Sequence, residues 1–348
     1  MENDPKAESF PGMQVVITTV SFSSASVRGC DHGNVVNARL VLRGMIEEQG
    51  SNRKHGTIRI GISGWTYRPW RGKFYPPDLK QKRELAYAAE RFGSIEVNGT
   101  FYRLQRPETF ADWFEQTPDD FVFALKAPRF ITHVKRLRDI EAPLANFFAS
   151  GPLRLGKKLG PLLWQFAANL RFDPERFEAF LAMLPRDTQA AAALARAHDS
   201  RVSGRTWLET DAKRALRHAV EIRHESFCTQ EFIAMLRHHK VALVCADTPQ
   251  WPRLMDVTAD FVYCRLHGAE ELYASGYDAP ALDQWARRIS AWAQGREPDE
   301  ANRVLPAVAQ RRGGRDVYVY FDNDAKVRAP VDAEALTRRL ERFAALKS

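Results

Sequence analysis

The chain has 348 residues, 45% of them hydrophobic and 27% charged, an ordinary globular balance that excludes wholesale disorder. No apolar run reaches the eighteen or so residues of a membrane-spanning helix, and the acidic, polar start "MENDPKAESFPG" lacks the basic region of a secretory signal. The net charge of +8 is local: residues 127–158 carry seven basic and two acidic side chains, residues 186–217 seven and four, and residues 1–55 cancel at six each.

Residues 1–55 show no sustained period and are expected to be a poorly ordered extension. Met45 lies just ahead of the regular text, so an over-long start is an expectation that the intact mass of the native product would test. The rest, 56–348, reads as a single domain. "IRIGIS" (58–63) predicts a strand and "QKRELAYAAERF" (81–92) a helix. "SIEVN" (94–98), "PETFADWFEQT" (107–117) and "FVFALK" (121–126) continue the alternation. A basic loop leads to a helix over 141–149, then strand "GPLLWQF" (160–166) and helix "DPERFEAFLAML" (173–184). The alanine- and arginine-rich stretch 186–217 reads as a partly helical insert. After it come strand "AVEIR" (219–223), helix "TQEFIAMLRHH" (229–239) and strand "VALVCAD" (241–247). Only a turn fits before strand "DFVYCRLHG" (260–268). Helix "PALDQWARRISAWA", strand "DVYVYFD" (316–322) and helix "DAEALTRRLERFAAL" close the chain. Pro107, Pro174 and Asp332 are placed as helix starts.

Eight strands, seven of them followed by a helix, over roughly 250 residues fit a closed (β/α)8 TIM-type barrel. The rival, an open doubly wound sheet, usually carries a glycine-rich phosphate turn after its first strand, and "GWTYRPW" contains neither GxGxxG nor GxxxxGK.

Barrel enzymes do their chemistry at the carboxyl ends of the strands. Those ends carry Ser63 with Trp65 and Tyr67, Glu96 with Asn98, Lys126, Gln165, Glu221 with Arg223 and His224, Asp247, Arg265 with His267, and "FDND" from Asp322 to Asp324. Side chains alternate along a strand, so Glu221 and Arg223 should face the barrel lumen and Val220 and Ile222 the helices. Buried charges must pair or bind something. Two readings stay open: Glu96, Glu221 and Asp247 neutralise Lys126, Arg223 and Arg265 in an ion-pair network, or the same groups form a ligand pocket. The loop "KAPRFITHVKRLR" adds Arg129 and His133, suited to phosphate or carboxylate recognition. The aromatics of "GWTYRPWRGKFYP" suit either stacking on a ligand or a small satellite core.

Taken together and in order, "GISGWTYRPWRGKFYP", "IEVNGTFYRL", "FALKAPRFITH", "VEIRHESF", "CRLHG" and "YVYFDND" resemble the YecE-like family, a family of unknown function with a TIM-type barrel. The resemblance spans roughly Ile58 to Phe343 and implies a fold and a pocket but no reaction. Its pattern falls on Gly64, Trp65, Tyr67, Trp70, Glu96, Asn98, Thr100, Phe101, Tyr102, Lys126, Thr132, His133, Gln165, Glu221, Arg223, His224, Arg265, His267 and Gly268. The chain departs from it at Gly99 (commonly Ser), in the proline-free "QFAANLRF", at Phe227 (usually Trp) and at Asp322 (usually Asn), which adds a charge.

The leading expectation is therefore a cytoplasmic enzyme acting by general acid–base chemistry on a phosphorylated or sugar-like anionic small molecule. Glu96, Lys126, Glu221 and His267 are the catalytic candidates. Trp65, Tyr67, Asn98, Tyr102, Arg129, His133, Gln165, Arg223, His224, Asp247, Arg265 and Asn323 are the candidate ligand contacts. No cofactor and no metal ligand is predicted, and nothing in the sequence assigns Schiff-base chemistry to Lys126. A metal-dependent phosphodiester hydrolase acting on nucleic acid, holding metal through His133, Glu96, Glu221, Asp247 and His267, is the first alternative. A non-catalytic binder of an anionic ligand is the second. The scattered cysteines (Cys30, Cys228, Cys245, Cys264) contain no CxxC pair and fit a reducing compartment.

Overall fold

The structure, a computed structural model, describes residues 55–268, 275–299, 301–323 and 326–345. Apart from His55, the extension expected over 1–55 lies outside the described residues.

The expected strands form as β1 (Ile58–Ser63), β2 (Ser94–Val97), β3 (Val122–Lys126), β4 (Leu159–Gln165), β5 (His218–Glu221), β6 (Ala242–Asp247), β7 (Phe261–Leu266) and β8 (Asp316–Phe321). Each pairs in parallel with the next, and β8 pairs back onto β1, closing the barrel. Closure leaves no sheet edge exposed. Gly61 makes part of this possible: a Cβ there would stand 1.9 Å from the Ser94 carbonyl oxygen on the neighbouring strand.

The helices are α1 (Glu84–Arg91), α2 (Gly99–Tyr102), α3 (Pro107–Glu115), α4 (Glu141–Ala149), α5 (Pro174–Met183), α6 (Thr188–Ala195), α7 (Gln230–His239), α8 (Ala279–Ala293) and α9 (Arg328–Ala345). Their starts follow capping chemistry: the side chains of Asp173, Asp187, Thr229 and Asp278 accept backbone N–H bonds from the first turns of α5, α6, α7 and α8. Residues 248–260 between β6 and β7 contain no helix. The insert 186–217 carries α6 and a 3-10 turn at Ser200–Val202. One expected start moves: α9 begins at Arg328, a turn before Asp332. Pro330 does not stop it, because N–H groups of a first turn have no helical partner to lose. Asp332 is buried and accepts from Tyr277 N, Asn323 Nδ2 and Arg328 Nη2.

Two apolar clusters result from strand alternation. The larger lies between strands and helices and includes Val220, Ile222, Cys245 and Cys264. The smaller fills the lumen with Val122, Ala124, Leu163, Ala219, Val244, Ala246, Tyr263, Tyr318 and Tyr320. Phe227 packs in the outer cluster among Phe166, Phe172, Phe177 and Phe232. Among the described residues no helix is long and apolar enough to cross a membrane.

Candidate functional site

Above the apolar lumen, the same inward-facing positions turn from carbon to charge. Arg265 on β7 has no exposed side-chain surface and is the centre of the layer. Its Nε and Nη2 donate to both oxygens of Glu96, Nη1 donates to Glu221 Oε2 over 2.6 Å, and Nη2 donates to Asp322 Oδ2 over 2.7 Å. Glu96 also accepts from Ser63 Oγ at 2.5 Å and from Tyr263 OH at 2.6 Å. Glu221 accepts from Gln165 Nε2 and Arg223 Nε, each at 2.9 Å. Both glutamates are thus fully buried and well supplied with donors.

The electrostatics follow from these contacts. Burial alone would raise Glu221, but the Arg265 and Arg223 guanidiniums reverse this and hold it well below the usual carboxylate range. Asp322 behaves in the same way: burial opposes its charge, and Arg265 and His267 keep it ionised. Burial likewise works against the Arg265 charge, which Glu221, Glu96 and Asp322 together secure.

Lys126, at the end of β3, differs from its neighbours. It is 7% exposed, yet among the described residues Nζ has neither a hydrogen-bond acceptor nor a carboxylate within 4.0 Å. Nζ stands over the Phe101 ring, 4.3 Å from its centroid. Burial, reinforced by the Arg265 charge and only partly offset by the carboxylates, lowers its pKa to about 8. His133 meets the same Phe101 ring edge-on at 5.1 Å and bonds Thr132 Oγ1 through Nδ1. Burial and the cations Arg223, Lys126 and Arg129 lower His133 to about 4, so it is neutral at pH 7.

The structure therefore brings together Glu96, Lys126, Gln165, Glu221, Arg223, Arg265 and His267. Nδ1 of His267 stands 3.1 Å from Asp322 Oδ2, and its ring meets Trp251 edge-on. Arg223 stacks on the same Trp251 ring, 4.1 Å from its centroid. Asn98 joins through Nδ2 to Ser63 Oγ, and its Oδ1 is buried with no hydrogen-bond partner among the described residues. Arg129 is exposed on the loop after β3, and Tyr102 is exposed at the end of α2, just after β2.

Other candidates are engaged elsewhere. Asp247 follows the lumen-facing Ala246, so alternation turns it outward, where it accepts from Arg253 Nη1 and Trp285 Nε1. Asn323 likewise points out, donating to Ser275 O and Asp332 Oδ2, and Asp322 takes the inward position. His224 Nδ1 accepts from Ser226 N and caps the turn at Glu225–Phe227. Trp65 packs edge-on against Trp113, and Tyr67 OH donates to Ser63 O. Trp70, Phe74, Tyr75, Tyr87 and Phe92 form an aromatic cluster, the satellite-core alternative for that segment. Tyr263 and Trp251 join the site without a place among the sequence candidates. Tyr263 lies two residues before Arg265 and so shares its face, whereas Trp251 sits in a connector without periodicity.

The family model "Protein of unknown function DUF72" matches residues 59–347. The UPF0759 protein YecE of Escherichia coli (strain K12) is 31% identical over 127 residues, 32% of this chain and 44% of that protein. The UPF0759 protein YunF of Bacillus subtilis (strain 168) is 29% identical over 79 residues, 23% of this chain and 27% of that one. These alignments span under half the length of the curated relatives they match. Among solved structures, a DUF72 family protein from Thermotoga maritima MSB8 superposes with a TM-score of 0.61 at 24% identity, covering 82% of this chain and 99% of that one. A DUF72 family protein from Enterococcus faecalis V583 gives 0.56 at 18% identity, covering 82% and 95%. At these identities the superpositions speak for the fold alone. With the family model matched across the whole barrel and its fold shared, the chain belongs to the DUF72 family, which includes YecE and whose function is unknown.

Proposed function

We propose that the chain is an enzyme acting by general acid–base chemistry on a small anionic molecule, phosphorylated or sugar-like, held at the carboxyl-terminal mouth of the barrel. The observation that carries this reading is the largely buried Lys126 side chain, whose amine has no counter-ion within 4.0 Å among the described residues, beside carboxylates that Arg265 and Arg223 already engage. An anionic group of a ligand would supply the missing partner, with Arg223 and the exposed Arg129 at the same mouth. In this reading Glu96 and Glu221 hold Arg265 in place as positioning residues, because their oxygens are occupied. Lys126, His133 and His267 are the groups assigned to move protons.

The metal-dependent alternative gains no support from the donor arrangement: among the described residues no three His, Cys, Asp or Glu side chains are placed to hold an ion.

Thermal unfolding with inorganic phosphate and a panel of sugar phosphates tests the reading. A ligand at a hundred times its Kd contributes about 2.7 kcal/mol, a rise of roughly 4–5 °C for a domain of this size. The rise should disappear in Lys126→Met and Arg223→Ala. No rise with any anion, or a rise that both variants retain, would reject this site. A ligand that raises the midpoint and returns unchanged after long incubation would leave a binding protein in place of an enzyme.

A further inference from the structure

We propose that Lys126 forms an imine with an aldehyde or ketone that also carries a phosphate or carboxylate group. This deepens the reading of the mouth as a small-anion site and rests on it.

Three placements lead there. Lys126 ends β3 at the mouth, where a ligand can reach it, yet its side chain is 7% exposed. No carboxylate among the described residues stands within 4.0 Å of its amine: Glu96, Glu221 and Asp322 offset its burial only in part and are engaged by Arg265, Arg223, Gln165, Ser63 and Tyr263. A lysine serving the network would be expected to complete an ion pair, as Arg265 does. The third placement is the Phe101 ring, which gives the amine an apolar wall and presents the His133 imidazole on the same ring. The desolvation that lowers Lys126 to about 8 leaves near one amine in ten unprotonated at pH 7, against fewer than one in a thousand for an ordinary lysine near 10.4. An unprotonated amine is the nucleophile that carbonyl addition requires.

The amine lone pair attacks the carbonyl carbon, forming a C–N bond as the C=O π bond opens, and the carbonyl oxygen takes up a proton from solvent. Loss of that oxygen as water, with a second proton, leaves a protonated imine on Lys126. No oxidant or reductant enters. The neutral His133 can accept the amine proton and return it to the departing hydroxyl, while Arg223 and Arg129 are placed for the anionic group. The iminium then withdraws electrons from the adjacent carbon, which makes proton removal there feasible, and hydrolysis restores the lysine.

Pyridoxal 5′-phosphate, an aldehyde bearing a phosphate, is the probe. Full-length protein is incubated with it at pH 7, reduced with cyanoborohydride, and analysed by intact mass and peptide mapping. The expected result is one adduct per chain, on the Lys126 peptide, formed at least about tenfold faster than on surface lysines such as Lys135 and Lys157. Inorganic phosphate should slow it, and Lys126→Met and Lys126→Arg should abolish it. Labelling spread over many lysines, with Lys126 no faster than the rest, overturns the proposal. If phosphate still raises the thermal midpoint through Lys126 and Arg223 while Lys126 stays unlabelled, the imine falls and the anion site stands. If neither effect occurs, both fall.

Discussion

Arg265 Nη1 donates to Glu221 Oε2 over 2.6 Å, and neither side chain has any exposed surface. The same guanidinium also serves Glu96 and Asp322, so one buried cation answers three buried carboxylates.

Removing that cation should therefore be costly. Arg265→Met leaves Glu96 without a cation in ion-pair contact, Asp322 with His267 alone and Glu221 with Arg223 alone. Breaking a buried pair in this way costs about 3–5 kcal/mol. Urea denaturation of the variant should show a loss in that range. A loss under about 1 kcal/mol would mean that the carboxylates find other partners and that Arg265 is not the centre of the layer.

Lys126 should behave in the opposite sense. Its folded pKa is lowered to about 8, so between pH 8 and about 10.4 the native state binds fewer protons than the unfolded chain. The charged amine thus destabilises the fold at neutral pH, and the penalty disappears as pH rises through that window. Lys126→Met should be more stable than the native chain by about 3 kcal/mol at pH 7, with the gain shrinking toward pH 10. Parallel denaturation curves at pH 7 and pH 10 measure this. A variant less stable at pH 7 would show that Lys126 is a structural cation. The predicted gain, joined to loss of anion binding, is the pattern of a residue retained for a task other than folding.

His218 supplies the acid limb. It is buried at the start of β5, where Nε2 donates to Pro185 O and Nδ1 accepts from Trp164 Nε1, the contacts of a neutral ring. Burial lowers it to about 4. As pH falls from about 6.5 toward 4, the unfolded state takes up the proton first, and stability is lost across that window. The loss attributable to this residue approaches about 3 kcal/mol. In His218→Gln the difference in stability between pH 7 and pH 4.5 should be smaller than in the native chain by roughly 2 kcal/mol or more. Equal pH dependence in the two proteins would contradict the assignment.

How far the site was legible depends on position within a strand. Glu96, Glu221 and Arg265 stand inside β-rich runs where a charge is conspicuous, and alternation alone directs them inward. Asp247 and Asn323 are less legible, because at or just past a strand's end one step of phase decides between lumen and helix layer. The inward residues proved to be Ala246 and Asp322. Trp251, which covers Arg223, comes from an irregular connector and left no pattern to follow.

The order of elements, the closed parallel barrel and the gathering of charge at one end were determined by the sequence itself, because they rest on local periodicity and on the cost of burying unpaired charge. Which charges satisfy which was decided only by the tertiary structure. Eight strands must close before Arg265 meets carboxylates from β2, β5 and the end of β8, and ion pairing depends on ångström distances between segments far apart in the chain. The same closure leaves Lys126 largely buried, with no counter-ion within 4.0 Å of its amine among the described residues.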